Sequence, residues 1–201
     1  MSLVHISGRL VFAVMPSVLA ITSGTWQIAL FGLASSLEGY VFSIANALGK
    51  MFMPRVSKVA VSRAFRGDLQ LFTIRVARYQ VVLVGLIFVV FAGAGRAFIV
   101  AWLGEQYLEV YWLTLLLILP SLVELPQVVA DTAVSVFGAV RSKAIVYAGM
   151  AVINICLGLW LSNVFGALGA CVSILVAYSV RTVGMNFIYF RTLKMNLVRY
   201  F

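Results

Sequence analysis

Residues 79–102 read YQVVLVGLIFVVFAGAGRAFIVAW, a stretch whose single charge is Arg96. The apolar residues are continuous rather than alternating, and roughly 20 such residues suffice for a helix to cross a bilayer core of about 30 Å. A basic run ending at Arg78 lies before it and Trp102 closes it, the flanks expected where a helix leaves hydrocarbon for headgroups. Transmembrane barrels need short segments that alternate apolar and polar residues, so helices remain as the way to satisfy the backbone in lipid. The whole chain agrees: 63% of 201 residues are hydrophobic, 10% are charged and the mean hydropathy is +1.08, whereas a soluble domain carries about 25% charged residues. An ordinary soluble domain is excluded. The length leaves room for about six crossings and for no catalytic domain outside the membrane.

Working outward from 79–102, the pattern predicts an all-α integral membrane protein whose spans cover about 10–31, 37–53, 79–102, 110–137, 144–161 and 166–190. Pro16 lies in the first span, a small-residue turn at Ala34–Ser36 follows it, and Pro54 is expected to close the second. The basic stretch 54–78 is read as a cytoplasmic loop with an interfacial helix. Pro120 and Pro126 are expected to break the fourth span. Trp102, Tyr107, Tyr111 and Trp112 suit a headgroup-level aromatic belt. Cys156 and Cys171 fall in apolar stretches and read as packing residues rather than a disulfide.

The charge balance, 15 Lys plus Arg against 6 Asp plus Glu, would suggest nucleic acid in a soluble chain. Here its distribution carries a different meaning. Arg9, seven cations between Lys50 and Arg78, Arg141 with Lys143, and Arg191, Lys194 and Arg199 all fall on one side of a six-span layout. The opposite connections hold almost none. Lys and Arg are retained on the cytoplasmic side, so the expected bundle has both termini cytoplasmic and no nucleic-acid partner.

Charged residues inside a membrane cost at least about 2.5–3.5 kcal/mol and usually face protein or water. Glu124, Gln127 and Asp131 share one face of the fourth span at i, i+3 and i+7, and can either bind a proton or Na⁺ or pair with cations of neighbouring helices. Gly39, Ser43, Asn46 and Lys50 form a polar stripe on the second span, where Lys50 can also snorkel to the cytoplasmic surface. Arg181 lies about 15 Å inside the end marked by Arg191 and needs an anionic partner, either Asp131 in an internal pair or the phosphate of a substrate. Asn154 reads as a helix-to-helix hydrogen bond. The only histidine is His5, so a His-based metal site or triad has no material, and no phosphate-cradling glycine loop is present. No catalytic residue, resident metal or cofactor is expected.

The segments SSLEGYVFSIANALGKMFMPRVSKVA, AFIVAWLGEQY and FGALGACVSILVAYSVRTVGMNFIYFR resemble helix-ending and helix-opening motifs of the bacterial polysaccharide (O-antigen type) flippases, within the multidrug/oligosaccharidyl-lipid/polysaccharide exporter superfamily. The likeness spans nearly the whole chain but matches only the C-terminal lobe of that two-lobed architecture. It implies transport rather than enzymatic activity: movement of a polyprenyl-diphosphate-linked oligosaccharide across the bacterial inner membrane, by rocking of two lobes around a central cavity. The missing N-terminal lobe would be supplied in cis, the chain being a piece of a longer protein, or in trans. The resemblance makes Arg181, Lys50 and Asn46 candidates for substrate binding. Asp131, Glu124 and Gln127 become candidates for a coupling H⁺ or Na⁺. A cation-coupled multidrug antiporter lobe and a non-transporting membrane scaffold or truncated remnant stand as alternatives.

Overall fold

The structure, a computed structural model, describes residues 2–61, 66–136 and 140–193, with side chains described for 11–47, 75–125, 127 and 141–188. Among the described residues it is all-helical: α1 (Ser2–Thr22), α2 (Thr25–Val61), α3 (Arg66–Leu103), a short 3-10 turn at Glu105–Tyr107, α4 (Glu109–Val136) and α5 (Val140–Leu193).

The last helix is not straight. Gly166 adopts φ 57°, ψ −134°, a conformation that residues with a Cβ rarely adopt, and beyond it the chain doubles back. Leu161 meets Gly169 and Val146 meets Gly184; Asn154 accepts from Ser173 at 3.2 Å and Tyr147 accepts from Arg181 at 2.8 Å. Pairs as far apart in sequence as 147 and 181 would lie about 50 Å apart on one straight helix. Their contacts therefore define an antiparallel hairpin with arms 140–165 and 167–193. At Gly169 the arms approach so closely that a Cβ would overlap the Leu161 carbonyl.

α4 packs against α2, α3 and α5, and α1 against α5. The main core joins Met15 and Leu19 of α1, Leu30 and Phe31 of α2, Leu117 of α4, and Met150 and Ile174 of the hairpin. Three connections meet at one end. Ser23 donates to the Ser162 carbonyl at 2.6 Å, Gln27 Oε1 accepts from the Ala167 N–H at 2.8 Å, and Trp26 lies 5.2 Å from Tyr107 between ring centroids. All four tryptophans, Trp26, Trp102, Trp112 and Trp160, are near this end and at least 47% exposed.

Several boundaries differ from the sequence expectation. The first break comes at Ser23–Gly24, and α2 runs unbroken through Ala34–Ser36, because Ser35 and Ser36 donate to the Gly32 carbonyl at 3.0 and 2.8 Å and thereby satisfy their hydroxyls within the helix. Pro54 does not close α2, which reaches Val61, and α3 starts at Arg66. Much of the expected basic loop is thus helical. Pro120 and Pro126 lie within a continuous α4; each removes one N–H, which tight packing in a bundle tolerates.

Among the described residues, four segments are long and apolar enough to cross a membrane: Thr25–Ala47, Arg75–Leu103, Glu105–Leu125 and Arg141–Ile188. The last, 48 residues long, is the hairpin, so each arm has about the length of one crossing. Large hydrophobics such as Val82, Leu86, Val89, Val152 and Val183 are 60% or more exposed. This apolar exterior, together with the length of the helices, makes a multi-pass membrane protein.

Candidate functional site: a buried ion pair and a polar outer face

The interior holds charge. Arg181, on the second arm of α5, is 2% exposed. Its Nη2 donates to Tyr147 Oη at 2.8 Å, and its Cζ lies 5.0 Å from the Tyr147 ring centroid. Nη1 is 3.7 Å from Glu124 Oε1 on α4. Lys143, also buried, places its Nζ 5.8 Å from the same tyrosine ring. One turn beyond Glu124, Gln127 Nε2 donates to Asn186 Oδ1 at 3.2 Å. Glu124 and Gln127 therefore share a face directed at the second arm of α5, as their i, i+3 spacing predicts.

The candidates fall into three groups. Arg181 and Glu124, expected in different roles, form one internal pair; the carboxylate observed beside Arg181 is Glu124, where the sequence pointed to Asp131. Asn46 lies elsewhere, on the outer face of α2. The side chains of Lys50 and Asp131, on α2 and α4, lie outside the described residues. Asn154 donates to the Val11 carbonyl at 3.3 Å and accepts from Ser173, tying α1 to both arms of the hairpin as a helix-to-helix bond. Cys156 and Cys171 are free thiols.

Sequence reading missed two residues of this interior. Glu38 is 1% exposed and accepts from Ser121 Oγ at 2.9 Å. Its signal was present: Phe31, Ala34, Glu38 and Ala45 follow one another at helical spacing and all are buried, but the turn assumed at Ala34–Ser36 hid that register. Tyr147 was missed because nothing local distinguishes a tyrosine that will meet an arginine 34 residues later.

The second feature is a groove of about 600 Å³ on the outside of α2, lined by Ser36, Gly39, Tyr40, Phe42, Ser43, Asn46 and Ala47. Ser36 and Ser43 donate to the Gly32 and Gly39 carbonyls at 2.8 and 2.7 Å, so their donors are engaged and the Asn46 amide is the strongest polar group of the lining. Tyr40 is 67% exposed. The groove continues a wider asymmetry. The exposed positions of α1 and α2 include Ala13, Ser17, Ala20, Ala29, Ser36, Tyr40, Ser43 and Ala47, with Ile21, Trp26 and Ile44 as the large apolar exceptions, whereas those of α3 and α5 include many more Val, Leu, Ile and Phe, among them Val82, Leu86, Val89, Val152 and Val183. No family model, curated protein or solved structure matches this chain. The asymmetry of the exterior is therefore the main structural guide to function.

Proposed function

We propose that this chain forms one lobe of a flippase that moves lipid-linked oligosaccharide, of the polyprenyl-diphosphate type, across the cytoplasmic membrane by alternating access. The observation that carries this reading is the outer face of α1 and α2, richer in small and polar residues and bearing the groove at Asn46, set against a more aliphatic exterior on α3 and α5. Lipid suits the second face. Small and polar residues at hydrocarbon depth suit a water-filled cavity or another protein surface, which a second lobe, in the same chain or another, would supply. Six crossings with both termini cytoplasmic follow from the cation distribution, if α1 and each arm of α5 cross once. In this reading Asn46 and Lys50 contribute to the substrate path, and Asp131, Glu124 and Gln127 to binding a coupling H⁺ or Na⁺. Arg181 holds Glu124 in place, and would meet the diphosphate only if the pair opened. No catalytic step is involved; the fall in free energy comes from the coupled ion or from the substrate.

Deleting the coding sequence should strand lipid-linked oligosaccharide in the cytoplasmic leaflet and strip polysaccharide from the cell surface. Asn46→Leu should do the same while the protein stays inserted. Unchanged surface polysaccharide in the deletion strain overturns the reading. A second reading, a cation-coupled multidrug antiporter lobe, is favoured by the buried Glu38 and the half-buried Glu124; higher drug sensitivity with normal surface polysaccharide would select it.

A further inference from the structure

We propose that Arg75, Arg78 and Tyr79 of α3 form a binding site for one anionic phospholipid, with the phosphodiester held by the two guanidinium groups and an acyl chain lying along Val82, Leu86 and Val89. All six residues are exposed, Tyr79 at 63% and the three aliphatic residues at 61–68%. Positions 75, 79, 82, 86 and 89 recur at steps of three or four, and 78 lies three after 75 and four before 82, which puts all six on one continuous helical stripe. The two arginines are thus neighbours on that stripe, about 5–6 Å apart between Cβ atoms. Neither makes an ion pair with a described residue. In the sequence the nearest acid on their side of α3 is Asp68, seven residues before Arg75.

Depth supports the same assignment. Trp102, 53% exposed at the turn end of α3, marks one interface. From Trp102 back to Tyr79 the helix rises about 35 Å, slightly more than a hydrocarbon core of about 30 Å. Tyr79 therefore falls at the opposite headgroup level, with Arg78 and Arg75 in the phosphate layer and the aliphatic stripe in the acyl region. A guanidinium presents a planar fork of donors that matches a phosphodiester in two-point contact, and each juxtamembrane cation contributes about 1 kcal/mol of attraction to an anionic surface. Two guanidinium forks without a described ion-pair partner, joined to an apolar stripe, distinguish a lipid molecule from a soluble phosphate, which has no use for the stripe.

The full chain, purified in detergent and titrated with dioleoyl phosphatidylglycerol or dioleoyl phosphatidylcholine, can be followed by native mass spectrometry. Wild type should prefer the anionic lipid. Arg75→Gln with Arg78→Gln should weaken binding of that lipid roughly 30-fold, while Arg75→Lys with Arg78→Lys, which keeps the charge but not the fork, should fall between wild type and the double glutamine variant. If the double variant fails to insert, Arg78→Gln alone should cost about fivefold. Arg141→Gln removes an exposed cation at the start of α5 and should leave the preference intact. The proposal is overturned if the double glutamine variant keeps the wild-type preference, if Arg141→Gln weakens binding equally, so that a diffuse positive field suffices, or if sn-glycerol-1-phosphate competes as well as the lipid.

Discussion

At the residue scale, the burial of Arg181 sets what surrounds it. A guanidinium at 2% exposure carries a large desolvation cost, and removing one partner of a buried pair typically costs about 3–5 kcal/mol because the other charge loses its compensation. Glu124→Leu should therefore lower stability by about 3 kcal/mol, whereas Tyr147→Phe, which removes one hydroxyl from the guanidinium, should cost about 1–2 kcal/mol. Thermal unfolding of the detergent-solubilised chain measures both, and equal small effects would show that the pair does not hold α4 against the hairpin. The sequence identified Arg181 as a charge in need of an anion and Glu124 as an acid on an inward stripe. It did not join them, since helical spacing fixes which residues share a face of one helix and is silent about which face of another helix comes opposite. Glu38 shows the complementary failure: its own spacing placed it on the core face of α2, but the assumed turn broke the register in which that spacing would have been visible.

At the element scale, the hairpin depends on two glycines for different reasons. Gly166 supplies a positive φ beside Gln27, whose Oε1 would lie 2.7 Å from an added Cβ, and Gly169 lets the two arms touch through backbone. Gly169→Ala should be the more damaging substitution. Its clash is with the Leu161 carbonyl, which cannot yield without moving a helix, whereas the obstacle at Gly166 includes the end of a flexible side chain. Paired cysteines at Asn154 and Ser173, whose side chains meet at 3.2 Å, provide the measurement: they should cross-link efficiently in the otherwise unchanged chain and poorly when Gly169→Ala is added. Equal cross-linking would mean that the hairpin closes without the close approach. The sequence expects this turn at Ser162 and Asn163, whereas the reversal comes at Gly166, inside the small-residue run that interrupts the apolar pattern. It misplaced the first turn, because serines that look like turn formers are equally at home in a helix when their hydroxyls bond to the carbonyl three or four residues back.

At the scale of the whole molecule, two planes organise the bundle. The turns at Ser23–Gly24, Gly104–Leu108 and Ser162–Gly166 gather at one end with all four tryptophans, and the connections rich in Lys and Arg lie at the opposite ends of the same helices. Single cysteines at Ser23, Gln106 and Asn163, in a Cys156→Ser background, should react with a membrane-impermeant maleimide from outside the cell, and cysteines at Arg78 and Arg141 only after permeabilisation. Labelling of Gln106 and Arg78 from the same side would refute the arrangement. A cysteine at Ser43 tests the outer face of α2. It should label with a water-soluble reagent far faster than one at Val152, which lies on the aliphatic exterior, and equal protection would mean that lipid covers both faces alike.

The sequence by itself determined the solvent and the secondary structure: an excess of continuous apolar residues admits only helices in lipid. Those properties are sums over neighbouring residues and need no knowledge of distant contacts. Tertiary structure alone decided that Arg181 meets Glu124 and Tyr147, that Glu38 is buried against Ser121, and that the exterior divides into a more aliphatic side and a side richer in small and polar residues carrying Asn46. The physical reason is that a helix in a bundle can turn about its own axis without changing its local pattern. Packing against its neighbours selects the rotation, and the rotation sets which residues are enclosed and which remain for a partner.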